Sequence, residues 1–181
     1  MQVLFVQGGG EGVHDEWDNK LVASLSRSLG SGYDVLYPPM PDESNPAYPS
    51  WAASLLRELA RLGPGAVAVG HSIGAAILIN TLAARPAGVS LAGLFLVAAP
   101  FIGQGGWPPE GFEPAFQSGA SLPPGLRVYL YQGSADETVP PTHVELYAEA
   151  IPDAVVRRLR GRDHQLGNDL SEVARDIRAL T

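Results

Sequence analysis

Six short strand-type runs recur along the chain, and all but the fourth are followed by a stretch with helical spacing. That alternation restricts the fold more than any other feature. Strand, crossover helix and next strand pair in parallel, and the helices then cover the sheet. The runs are residues 3–7, 33–37, 66–70, 92–98, 127–132 and 155–159. Helical patterns occupy 17–29, where Leu21, Leu25 and Leu29 share a face, and then 50–62, 73–84, 141–150 and 168–180. Ser50 is the expected N-cap of the second helix, and Gly63-Pro64-Gly65 its stop. Every position from 94 to 98 is apolar, as suits a strand covered on both faces. The expectation is an α/β fold: a three-layer α/β/α sandwich with a mainly parallel central sheet of about six strands.

A chain of 181 residues suffices for one core, and 1–181 is read as a single domain. Residues 103–124 break the rhythm. They are rich in Gly and Pro, carry Trp107, Phe112 and Phe116, and are too long for an ordinary connection. An excursion over the C-terminal strand ends is expected, where ligands bind in such sheets.

The absence of cysteine removes disulfides, thiolate nucleophiles, Fe–S clusters and cysteine zinc sites. A net charge of −7 argues against nucleic acid and anionic membranes, which need clustered Lys and Arg. Arg157, Arg158, Arg160 and Arg162 do cluster, but read as a solvated strand end. No segment reaches the roughly 18 apolar residues of a membrane helix. The opening MQVLFVQGGG lacks the basic start of a signal peptide and reads as a first strand, so a cytoplasmic protein is expected.

Where the third strand pattern becomes the third helix, the sequence is VAVGHSIGAA. Gly70-His71-Ser72-Ile73-Gly74 fits Gly-x-Ser-x-Gly at a strand-to-helix turn. A turn that sharp strains the serine backbone, brings neighbouring chain close enough to exclude a Cβ at 70 or 74, and pushes the hydroxyl out above the sheet. It also aims the Ile73 N–H, at a helix start, towards the same spot. A serine hydroxyl needs a base, and the base an orienting acid, in the chain order Ser, Asp or Glu, His. Two histidines follow Ser72. His143 lies inside a helical pattern and reads as a surface or capping residue, whereas His164 lies in a loop (GRDHQLG) that can reach over the sheet. Asp136, in GSADE beyond the fifth strand, is the expected acid, with Glu137 in reserve; Asp163 reads as a loop or capping group. The second oxyanion donor should come from QGGGEGVHDEW after the first strand: the N–H of Gly9, with Gly10 next. His14, Trp17, Phe101, Trp107 and Phe112 are candidate pocket residues.

With GGGEGVHDEW, YPPMPDESNPAYPSW, GHSIGA, GSADETVP and GRDHQLGND together, the chain resembles the small, capless α/β-hydrolases of the retinoblastoma-binding-protein and YdeN type over nearly its whole length. The resemblance implies a serine hydrolase with Ser72, Asp136 and His164 as the matching triad and a minimal sheet with little or no lid; no cofactor and no metal are expected. One departure is Gln7-Gly8, where many larger α/β-hydrolases have His-Gly. The resemblance names no natural substrate.

Two other readings compete. GGGEGV nearly fits a dinucleotide-binding Gly-x-Gly-x-x-Gly, but Val13 takes the third glycine position. His14, Asp15, Glu16 and Asp18 form an acidic cluster without a ligand pair at helical spacing. The alternative from another functional class is a protein-interaction or ligand-binding module with a silent triad. The sequence thus points to hydrolysis of a small carboxylic ester, thioester or amide through an acyl-enzyme. The expected partner is a small-molecule acyl substrate, and a protein partner or a homodimer stays open.

Overall fold

Side chains alternate along a strand, so a strand that is apolar throughout has to be covered twice. The computed structural model, which describes residues 1–84, 88–109, 111–112 and 122–180, meets that requirement with one sheet. Its strands are β1 (Gln2–Val6), β2 (Asp34–Leu36), β3 (Ala66–His71), β4 (Leu91–Val97), β5 (Arg127–Gly133) and β6 (Val155–Leu159). They lie in the order β2-β1-β3-β4-β5-β6, with every neighbouring pair parallel. Val3, Phe5, Val67, Val69, Phe95 and Val97 point to one face, against helices α1 (Asn19–Leu29) and α5 (Ser171–Arg178). Leu4, Val6, Ala68, Leu94 and Leu96 point to the other, against α2 (Tyr48–Leu59), α3 (Ser72–Ala84) and α4 (Thr142–Ala150). The three-layer α/β/α expectation holds. Nearly all of α3 is buried, which explains why it is apolar all round. Among the described residues no helix is long and apolar enough to cross a membrane.

Three helix boundaries differ from their sequence patterns. The helix expected from residue 17 begins at Asn19, because Val13–Asp18 winds as a wider, π-type turn. That turn carries the Asp18 side chain inward to full burial. The second helix begins at Tyr48, with Pro49 in its first turn, where a missing N–H is harmless. Ser50 is not its cap: Ser50 Oγ donates to the Ala47 carbonyl, 3.0 Å away. The last helix covers only Ser171–Arg178, because Leu166, Gly167 and Asn168 adopt φ of 49°, 65° and 56° and turn the chain back towards the helix layer.

The topology places the site. From β1 the chain winds outward to β2, then crosses back to β3 on the other side of β1. At such a reversal the loops leaving the two strands diverge and a crevice opens at their C-terminal ends. Here those loops are the glycine-rich stretch after β1 and the Gly-His-Ser turn after β3. Of the excursion expected over 103–124, residues 110 and 113–121, with Phe116, lie outside the described residues.

Candidate active site

Ser72 begins α3 directly at the end of β3, with φ 52°. The turn closes only because its flanking glycines have no side chain. A Cβ on Gly70 would lie 2.6 Å from Ala75 Cα, and one on Gly74 would overlap the Gln7 carbonyl oxygen. Gly8 also passes close, though less tightly: its Cβ would meet His71 Nδ1 and Ser72 Cβ, each at 3.2 Å. Sequence-local strain and long-range packing thus fix the same hydroxyl.

Ser72 Oγ lies 3.0 Å from His164 Nε2, and His164 Nδ1 lies 2.9 Å from Asp136 Oδ2. Asp136 sits in the turn after β5 and is 5% exposed. Its Oδ1 accepts the N–H groups of Thr138 and Val139, both at 2.9 Å, and its Oδ2 accepts Gln132 Nε2–H at 2.8 Å. Burial pushes this carboxyl up, but the hydrogen bonds from His164, Val139 and Thr138 outweigh burial and hold it below the ordinary aspartate value. An ionised Asp136 can only accept, so His164 carries its proton on Nδ1 and turns the Nε2 lone pair towards the serine hydroxyl. The structure therefore brings together Ser72, His164 and Asp136, residues far apart in the chain. The reserve acid, Glu137, is exposed. Asp163 is a loop group, accepting the Gly167 N–H at 2.8 Å. His143 differs from its surface reading: it is 5% exposed, and its Nδ1 accepts the Phe101 N–H at 2.9 Å. Burial holds that imidazole below its ordinary value.

The glycine-rich loop is held by two carboxylates that its local sequence does not advertise. The Gly8 N–H donates to Asp18 Oδ2 at 2.7 Å. The N–H groups of Gly12 and His14 donate to the Glu43 carboxylate at 2.9 Å each, and Gln7 Nε2–H donates to it as well. The Gly10 N–H donates to the Glu43 carbonyl at 2.6 Å, which corrects the expectation that Gly10 stands ready as an oxyanion donor. The Gly9 N–H has no acceptor among the described residues, and Ile73 lies in the first turn of α3, where an N–H has no intrahelical partner. Those two residues adjoin: a Cβ on Gly9 would lie 2.9 Å from Ile73 Cγ2. Gly9, Ser72 and Ile73 line one and the same cleft, which makes the two N–H groups candidates to hold an oxyanion beside the serine hydroxyl.

A cleft of about 610 Å³ opens over Ser72. Trp17, Trp107 and Phe112 line it, joined by Val13, Ile73 and Ile102. Two expected wall residues fall elsewhere. The His14 ring stacks on Tyr37, 4.2 Å between centroids, and does not face the cleft. Phe101 is buried one layer behind, edge-on to Tyr147 at 5.0 Å, and leaves the wall to Ile102. The acidic cluster of residues 14–18 also separates, with Asp15 outward and Asp18 inward. Among the described residues no group of three or more His, Asp or Glu side chains converges as metal ligands would.

Sequence reasoning missed the Asp18–His71 pair and Glu43. His71 Nδ1 lies 2.9 Å from Asp18 Oδ2, with both side chains buried. Burial alone would push Asp18 up and His71 down. Their mutual attraction and hydrogen bonding prevail, so Asp18 is held below and His71 above its ordinary value. The available signal was a histidine in the variable position of Gly-x-Ser-x-Gly and a carboxylate close behind the glycine-rich loop.

A family model described as the alpha/beta hydrolase family matches residues 3–180. Among solved structures the chain is similar to a monoacylglycerol lipase from Paleococcus ferrophilus, at 15% identity over 99% of this chain and 95% of that one, with a TM-score of 0.72. It is also similar to the esterase domain of a Rhodothermus marinus protein (19% identity, 98% and 86% covered, TM-score 0.71). A third is an α/β serine hydrolase without lid from Xanthomonas campestris (18% identity, 99% and 79% covered, TM-score 0.63). No curated protein sequence matches the chain.

Proposed function

The chain belongs to the alpha/beta hydrolase family, and on that premise we propose that it is a serine hydrolase cleaving a small carboxylic ester, or the related thioester or amide. Ser72 Oγ attacks the substrate carbonyl carbon while His164 Nε2 takes the hydroxyl proton. The tetrahedral oxyanion is held by the N–H groups of Ile73 and Gly9, each contributing about 3 kcal/mol to the transition state. Collapse expels the leaving group, which takes the proton back from His164 and leaves the acyl group on Ser72. Water, giving its proton to His164, then attacks the acyl carbonyl; collapse breaks the bond to Ser72 Oγ, which takes that proton back from His164, and the acid leaves. Asp136 stays ionised, holds the imidazole in its productive tautomer and stabilises the imidazolium formed at each attack.

The observation that carries this reading is the hydrogen-bonded chain from Asp136 through His164 to Ser72, at 2.9 and 3.0 Å, beneath a largely apolar cleft. An ester as the scissile bond agrees with the lipase and esterase among the similar structures. The narrower kinship with capless hydrolases of the retinoblastoma-binding-protein and YdeN type is carried by the ordered motifs from GGGEGVHDEW to GRDHQLGND. Ser72→Ala should lose p-nitrophenyl acetate hydrolysis while keeping the circular-dichroism spectrum of the parent. Equal turnover by the pure variant would refute the assignment.

A further inference from the structure

His71 has an acceptor on each side. Its Nδ1 lies 2.9 Å from the Asp18 carboxylate, and its Nε2 lies 3.1 Å from the backbone carbonyl oxygen of His164. A carbonyl can only accept. Asp18 is likewise occupied in accepting: Oδ2 takes the Gly8 N–H at 2.7 Å, and Oδ1 takes Gln165 Nε2–H at 3.1 Å. Both ring nitrogens of His71 must then donate, which makes the ring an imidazolium. It is paired with a carboxylate in a site where the two residues are 1% and 0% exposed. Nothing in the Ser–His–Asp chain uses this pair, yet it touches three of the segments that build the site, those after β1, β3 and β6. Asp18 precedes α1, Gly8 opens the loop after β1, His71 adjoins Ser72, and His164 with Gln165 follows β6.

We propose that His71, an imidazolium anchored by Asp18, is a positioning residue for the reaction. It fixes the backbone of His164 through the carbonyl, and through Asp18 it fixes Gly8, the neighbour of the oxyanion donor Gly9. One buried ion pair thereby keeps the general base and the oxyanion pocket in register with Ser72. The inference rests on the serine-hydrolase reading above.

The charged groups that face His71 are Asp18 and, farther off, Asp136, with the His164 ring 4.9 Å away between centroids. Burial disfavours the imidazolium, and the Asp18 carboxylate outweighs it. When His71 does lose a proton in alkali, one of its two donations disappears. Positioning then fails while the cleft walls stay in place, so kcat should fall on the alkaline side with KM unchanged.

His71→Asn tests this. An asparagine amide can still donate to Asp18 but falls short of the His164 carbonyl, whereas glutamine extends far enough to reach it. For p-nitrophenyl acetate, His71→Asn should lower kcat about tenfold to a hundredfold with KM unchanged, the effect of a base misplaced by a fraction of an ångström or more. His71→Gln should recover part of the loss, and both variants should lack the alkaline fall. Unaltered kcat in His71→Asn would overturn the proposal. A second measurement needs no variant. In nitrogen-15 NMR of the wild-type protein near neutral pH, both ring nitrogens of His71 should be protonated, and a singly protonated tautomer would overturn the proposal. Fluorophosphonate labelling separates the two levels of failure. Wild-type protein that is not labelled at Ser72 ends the serine-hydrolase reading and this inference with it. Labelled wild type with unchanged His71→Asn kinetics ends the positioning role alone.

Discussion

At φ 52°, Ser72 occupies a backbone region that costs a residue with a side chain about 1–2 kcal/mol. The strain persists because β3, α3 and the Gln7 carbonyl leave the chain no other path. Ser72→Gly, free of that penalty, should resist urea better than Ser72→Ala by about 1 kcal/mol while being equally inactive; equal or lower resistance would mean that the turn is unstrained. Gly74→Ala should act oppositely, losing about 1–3 kcal/mol and most activity as the new methyl group forces the Gln7 backbone aside. The Asp18–His71 pair adds a pH window. Held above its ordinary 6.5, His71 contributes its stability in full below that value, and the contribution fades as pH rises through the raised one. Asp18, held below 3.8, contributes in full above that value and loses its share as pH falls through the lowered one. Asp18→Asn should therefore be less stable than wild type by about 3–5 kcal/mol in the window of about pH 4 to 6.5. The gap should narrow in alkali, and urea unfolding that shows the same gap at both pH values would contradict this.

Loops leaving β1, β3, β5 and β6 supply the site, and the first three are each held by a different device. The elbow after β3 is sterically locked, and the turn after β5 wraps the Asp136 carboxylate with its own N–H groups. The loop after β1 depends on Glu43, which comes from the stretch between β2 and α2. Glu43→Ala should free the Gly12 and His14 N–H groups and let Gly9 drift. The expected loss is about tenfold in kcat and about 2 kcal/mol in stability; undiminished kcat would show that the loop holds its shape without Glu43. These devices also mark what could be read from the residues alone. Strands, helices and the Ser, Asp, His order were legible, because hydrophobic period and turn chemistry are local signals. Gly9 was ranked before Gly10, but that the Gly10 N–H is taken depends on Glu43, a partnership across more than thirty residues that no local signal carries. The π-type turn that buries Asp18 follows from its packing against His71 and Gly8, which no helical periodicity encodes. Ser50 imitated a cap because its type was right, although Pro49 and Ala47 had already set the helix start.

Across the whole molecule, a parallel sheet covered on both faces leaves its C-terminal edge as the place where groups from distant segments can meet. The cleft there, of about 610 Å³, is walled by Trp107, Phe112 and Ile102 and opens at Trp17, which is 51% exposed. Because the cleft is open rather than a closed tunnel, we propose that it prefers short acyl groups. Rates measured across p-nitrophenyl esters should be highest for acetate and butyrate and decline towards palmitate, and the reverse order would show that the cleft extends farther than its walls indicate. The most direct test of the central claim is the site and consequence of fluorophosphonate labelling. The account predicts one phosphonyl group per chain, on Ser72, with esterase activity lost in proportion. A modified residue elsewhere, or complete labelling with turnover undiminished, would contradict it.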